Sequence, residues 1–95
     1  MATIDITHAH SLSKEVARER AEELAKSLKE RLGIDWTWEG DALRFSAPSG
    51  PAKGTKGEVR VSDSNVRVLV DLPMLLRMLK GKVEQKVQEK LSQLL

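Results

Sequence analysis

The stretch GIDWTWEGDALRF, Gly33 to Phe45, decides the fold and holds Trp36, Trp38 and Phe45, every Trp and Phe in a chain without Tyr. From Ile34 the apolar period is two: Ile34, Trp36 and Trp38 face one way, and Asp35, Thr37 and Glu39 face the other. That is the pattern of a half-buried strand. EGDA supplies a tight turn, and the return strand carries Leu43, Phe45 and Ala47 inward. The three aromatics therefore share one face of one hairpin. A small domain short of Phe and Tyr uses Trp for bulk, each ring burying roughly 150–250 Å². Trp36 and Trp38 are accordingly expected to lie buried beneath helices as core. The competing reading makes Trp36, Trp38 and Phe45 the wall of a ligand pocket closed by the last helix.

Upstream, ATIDIT alternates with Ala2, Ile4 and Ile6 on one side, which predicts a first strand over Thr3–Thr7. From Ser13 to Leu32 the period changes. Ala17, Ala21, Leu24, Leu28 and Leu32 recur every three or four residues, Ser11 or Ser13 can cap, and Gly33 can terminate. This is an amphipathic helix, with Glu22 and Lys26 spaced as an i,i+4 pair.

Downstream, APSGPAKGTKG reads as a mobile connection, because its prolines and glycines supply turn geometry and no apolar anchor. EVRVS, DSN and VRVLVD then predict a second hairpin with Val59, Val61, Val66, Val68 and Val70 inward. Leu69 breaks that alternation and is expected to stay partly exposed. Pro73 suits a first helical turn, and Leu76, Leu79, Val83, Val87, Leu91 and Leu94 follow at helical spacing. Gly81 marks a kink or a break in that last helix.

The order β-α-β-β-β-β-α with alternating strand directions lets the first strand pair beside the last. The result is an α+β single domain over residues 1–95: an antiparallel sheet of about five strands, order 2-3-4-5-1, with two helices on one face.

Composition narrows the function classes. The 16 Lys and Arg against 14 Asp and Glu leave a net charge of only +2, with both signs interspersed. No Cys is present, so disulfides, thiolate catalysis and Cys-based zinc sites are excluded. No apolar run approaches the roughly 20 residues of a membrane span, and MATIDITHAH lacks a signal-peptide pattern, so a cytoplasmic location without a transmembrane segment is expected.

The chemical motifs are few. His8 and His10 have the shape of half a metal site, but no third ligand is marked by spacing, so a turn feature is the better reading and no metal or cofactor is expected. GPAKGTKG lies between strands and has the wrong spacing for a phosphate loop. Asp35, Glu39, Asp41 and Glu58 have Arg44, Arg60 and Arg67 as cross-strand partners, a solvated ladder rather than an acid–base pair. Lys82, Lys86 and Lys90 form an i,i+4 stripe that an anionic partner would neutralise. Nucleic acid is disfavoured, since single-strand binders need exposed aromatics beside their basic groove.

HSL at His10–Leu12, WEGDALRF at Trp38–Phe45, GEVRV at Gly57–Val61 and LKGKVE at Leu79–Glu84, in this order and spacing, resemble the small bacterial polyhydroxyalkanoic acid system, or granule-region, proteins. The similarity covers nearly the whole chain. The insert from Ser46 to Lys56 is longer than the tight hairpin expected of the family. The resemblance implies a setting in storage-polyester metabolism, a reduced helix-grip-like shape, and no catalytic residues to carry over.

The expectation is thus a non-enzymatic accessory protein associated with polyhydroxyalkanoate granules or their proteins, with Lys82, Lys86, Lys90, Leu94 and Leu95 as partner surface. A homodimer through the helix ends is the other contact considered. The alternative function is a small module holding an apolar or acyl-type ligand against Trp36, Trp38 and Phe45.

Overall fold

The hairpin at the centre of the sequence forms as its alternation dictates. Strand β2 (Asp35–Glu39) pairs antiparallel with β3 (Ala42–Ser46), placing Trp36 opposite Phe45 and Trp38 opposite Leu43. Gly40 takes φ +61° in the two-residue turn while Asp41 keeps negative φ, the arrangement of a II′ turn. A side chain at Gly40 would be strained there.

The computed structural model describes residues 3–50 and 53–95, and the side chains of all of these except 31 and 32. Ala2, the apolar contact of Leu32, and Pro51 with Ala52 in the loop thus lie outside the described residues. The remaining elements are β1 (Ile4–Ala9), α1 (Lys14–Leu32), β4 (Lys56–Val61), β5 (Asn65–Asp71), a 3₁₀ segment (Met74–Leu79) and α2 (Lys80–Leu94). The sheet order is β1-β5-β4-β3-β2 and every pairing is antiparallel, so the fold is the expected open five-stranded α+β sheet.

Helix α1 begins where Ser13 Oγ accepts from the Val16 amide, and ends where Gly33, at φ +70°, donates its amide to the Lys29 carbonyl. Ala17, Ala21 and Ala25 are buried along it. Their short side chains let the helix lie close over β3 and β4, while α2 lies against β1 through Val87 and Leu91. Both helices cover the face built from Ile4, Ile6, Leu43, Val59, Val66 and Val68.

Three expectations need correction. The C-terminal segment does divide near Gly81 into a short and a long helical piece, but the short piece is not α-helical: Pro73 precedes a 3₁₀ turn in which the Leu76 amide donates to the Pro73 carbonyl, and the α-helix starts at Lys80, just before Gly81. Pro73 has no donor of its own and offers no side-chain cap, so the tighter i→i+3 pattern takes over the first turns. The 46–56 loop is tethered at its base. Ala47 donates to the Thr55 carbonyl at 2.8 Å and Gly54 to the Ala47 carbonyl at 3.0 Å, so the ladder continues past β3. Ala47 and Thr55 are buried, and Lys56 already belongs to β4. Glu22, finally, accepts from the Trp38 indole at 2.7 Å instead of pairing with Lys26.

On the outer face, Arg67 makes a forked contact with Asp5 at 2.9 and 2.6 Å. Glu58 meets Arg60 at 2.8 Å and Arg44 at 3.9 Å, and Glu39 meets Arg44 at 2.9 Å. The hydrogen bond from Arg67 holds the Asp5 carboxyl below the ordinary aspartate range. This pair therefore favours the folded state above the unfolded Asp pKa, and its contribution is lost as pH falls through the depressed folded value. A carboxyl-detected NMR titration should place the Asp5 midpoint below that of ordinary aspartates, and Arg67→Gln should return it to the ordinary range. A β-carbon at Gly57 would lie 2.7 Å from Phe45 Cζ and would overlap the Leu69 carbonyl. Gly57→Ala should therefore cost about 1–3 kcal/mol in urea unfolding.

Candidate functional site

The WEGD turn docks on one ridge of α1. Lys14, Arg18 and Glu22 recur every four residues and so lie on one side of the helix. Asp41 pairs with Lys14 at 2.5 Å and with Arg18 at 3.7 Å, and the Arg18 guanidinium stacks 4.3 Å from the centre of the Trp38 ring. The Glu22 carboxylate closes the set through the Trp38 N–H. These contacts are half exposed, so each contributes little by itself, with about 0.5–1 kcal/mol for the cation–π stack. Together they tie α1 to the β2–β3 hairpin.

Trp36 and Trp38 are thus half-buried at the rim, packed against the core and not enclosed by it. The expectation of fully buried tryptophans fails because β2 is the edge strand and α1 crosses the sheet over β3 and β4. Phe45, one strand inward, is buried at 5% exposure.

Beneath the 3₁₀ segment lies an apolar cavity of about 160 Å³. Phe45, Ile34 and Val70 line its sheet side, Leu28 its α1 side, and Leu76, Leu79, Val83 and Val87 its roof. Neither tryptophan reaches it. Thr55 is the one polar side chain in its lining, and the Thr55 hydroxyl oxygen is buried without a hydrogen-bond partner.

A groove of about 310 Å³ runs between α1 and α2. It shares Leu28, Leu79, Val83 and Val87 with the cavity, so the two spaces adjoin. Lys82, Lys86 and Lys90 all line this groove, together with Glu89. Among the described residues none of the three lysines has an ion-pair partner within 4.0 Å. Leu94 and Leu95, expected to run past the sheet, are partly buried against the core.

The exposed apolar surface lies elsewhere. Met74, Leu75 and Met78 of the 3₁₀ segment are 80%, 88% and 87% exposed. The sequence reading missed them, although MLLRML carries a signal: five apolar residues in six are too many for the single stripe that a short helix can bury. Leu69 is partly exposed on the outer face, as its break in alternation implied.

His10 is a turn staple. Its Nδ1 accepts from the Leu12 amide at 3.1 Å, so Nε2 carries the proton and donates to the Ser62 carbonyl at 2.8 Å. It ties the β1–α1 turn to the β4–β5 turn. His8 Nδ1 lies 2.8 Å from the Ala9 carbonyl, and among the described residues no group of three or more His, Cys, Asp or Glu is placed to hold a metal.

"Putative polyhydroxyalkanoic acid system protein (PHA_gran_rgn)" is the family whose description matches residues 4–95. The chain belongs to this family. No curated relative and no solved structure matches it. The structure gives the family-like segments local roles: His10 of HSL bridges two turns, WEGD clamps α1, Gly57 of GEVRV makes room for Phe45, and LKG spans the change from 3₁₀ to α-helix.

His10→Ala removes both ring bonds and should lower stability by about 1–3 kcal/mol in thermal or urea unfolding. The tryptophan emission should be accessible to acrylamide, at least in part. Trp38→Phe and Glu22→Ala should show a coupling of about 1 kcal/mol in a double-mutant cycle, since each removes the same hydrogen bond.

Proposed function

We propose that this polyhydroxyalkanoic acid system protein is a non-enzymatic accessory that docks on the polyester granule surface, or on a protein there, through its 3₁₀ segment. The observation that carries the proposal is the exposure of Met74, Leu75 and Met78 side by side. Apolar surface held in water gains roughly 25 cal/mol per Å² when covered, and so large a cluster on a small domain marks a contact. Unbranched Met adapts to an irregular apolar surface, and a 3₁₀ turn with its poorer hydrogen bonds can reshape as it docks. Lys82 and Lys86, at the start of the helix that follows, add attraction for an anionic surface layer, screened beyond about 10 Å in 0.1 M salt.

The non-catalytic reading is supported by where the candidate carboxylates go: of Asp35, Glu39, Asp41 and Glu58, the last three are engaged by Arg or Lys, and Asp35 alone has no ion-pair partner within 4.0 Å among the described residues. No helix of the described chain is long and apolar enough to cross a membrane, so attachment by surface contact suits it better than insertion. A second reading, a module for an apolar or acyl-type ligand, is favoured by the interior cavity that Phe45 helps line.

Met74→Ser/Leu75→Ser/Met78→Ser should keep the fold by circular dichroism and move the protein from the granule fraction to the soluble fraction. Lys82→Glu/Lys86→Glu/Lys90→Glu should weaken association in a way that added salt reproduces in the parent protein. If the serine variant stays with granules, the docking proposal fails. If the parent sediments as a dimer and the serine variant as a monomer, the patch covers a second copy instead.

A further inference from the structure

We infer that the groove and the cavity together form a binding site for a single-chain alkyl carboxylate, with its head on Lys82, Lys86 and Lys90 and its tail beneath the 3₁₀ segment. The inference rests on the ligand-module reading and is independent of granule docking.

The two spaces differ in character and meet at Leu28, Leu79, Val83 and Val87. The outer one carries three lysines against one glutamate. Like charges at i,i+4 on one helix repel, and none of these lysines has a protein counter-ion within 4.0 Å among the described residues, so an entering anion would relieve a repulsion the fold leaves in place. Helix α2 adds to this. It has no side-chain cap and no acidic residue in its first turn, so no carboxylate of that turn offsets Lys82.

The inner space selects the rest of the ligand. At about 160 Å³ it compares with a cavity that accepts one benzene, roughly six carbon atoms. Its lining is apolar apart from Thr55. A partner helix, about 10 Å across, could lie in the groove but could not follow it inward. A thread-like chain can. An uncharged alkane would leave the lysines unused, and a cationic amphiphile would be repelled by them. Leu76 and Leu79 line the inner space from the 3₁₀ segment, whose weak hydrogen bonding makes it the element most easily displaced for entry.

The test is a methyl-detected NMR titration of the full chain with sodium octanoate, sodium butanoate, 1-octanol and octylammonium. Octanoate should shift the Leu28, Leu79, Val83 and Val87 methyls and bind roughly five- to tenfold tighter than 1-octanol, as expected of a few exposed charge pairs. Butanoate should bind more weakly than octanoate, and octylammonium weakest of the eight-carbon probes. Lys82→Gln/Lys86→Gln/Lys90→Gln should bring octanoate and 1-octanol within about twofold while leaving 1-octanol unchanged, as should 0.5 M salt on the parent protein. Val83→Phe and, separately, Leu28→Phe should weaken both eight-carbon probes by filling the inner space; either variant suffices if its methyl spectrum stays dispersed. Met74→Ser/Leu75→Ser/Met78→Ser should bind octanoate as the parent does, which separates this site from granule docking. Equal affinity for octanoate and 1-octanol overturns the carboxylate assignment and leaves an apolar-ligand module. Shifts without dependence on chain length overturn the interior tail site. Absence of binding by every probe overturns the inference and the module reading together.

Discussion

One face of an open sheet must be covered, and the chain has two helices with which to cover it. Five strands at about 4.8 Å spacing span nearly 20 Å, about the combined width of two helices packed side by side. Coverage is therefore just sufficient where both helices are present. Alanines along α1 bring it close over β3 and β4, and Val87 and Leu91 seat α2 on the other side. What two cylinders cannot fill becomes the interesting part of the molecule: the edge strand at one side, and the space above Phe45 and Val70 beneath the 3₁₀ segment and the first turns of α2.

Each of these gaps is handled differently. At the edge, Trp38 is shielded by polar groups of α1, with the Arg18 guanidinium on its face and the Glu22 carboxylate on its N–H. A ring with an apolar body and a polar handle suits a rim that is neither dry nor fully wet. Above Phe45 the 3₁₀ segment bridges the gap, turning Leu76 inward, leaving Leu79 at the rim with 40% of its surface exposed, and holding Met74, Leu75 and Met78 outside. The same short segment thus roofs the cavity and presents the largest apolar side chains in the solvent. Its position between a proline and an uncapped helix start keeps it from becoming a regular helix with one buried stripe.

The contrast between the two faces of the sheet bears on function. The outer face is neutralised by its own Asp5–Arg67 and Glu58–Arg60 pairs, so it offers little to a charged partner. The helical side keeps both a lysine row without ion-pair partners among the described residues and an unburied apolar cluster, joined through Leu79 at the end of the 3₁₀ segment. A domain with little net charge concentrates its unsatisfied surface there.

Period and punctuation in the sequence alone determined the strands, the two hairpins and the capped helix from Ser13 to Gly33, because each depends on local alternation or on residues a few positions apart; the β1–β5 pairing joins distant segments and followed instead from the alternation of strand directions. The family, too, was legible in HSL, WEGDALRF, GEVRV and LKGKVE. Tertiary structure alone decided which apolar residues are covered. Trp36, Trp38 and Phe45 share one alternating face, yet only Phe45 is enclosed, because burial depends on where α1 crosses and β2 lies at the edge. Asp41 and Glu22 turned from the expected ladder and i,i+4 pair to contacts between α1 and the WEGD hairpin. Thr55 became buried within a loop whose composition marked it as free, since its own carbonyl and the Gly54 amide bond Ala47 and extend the β3–β4 ladder. Local periodicity specifies which side of an element is apolar. Only the packing of distant elements specifies how much of that side loses its water.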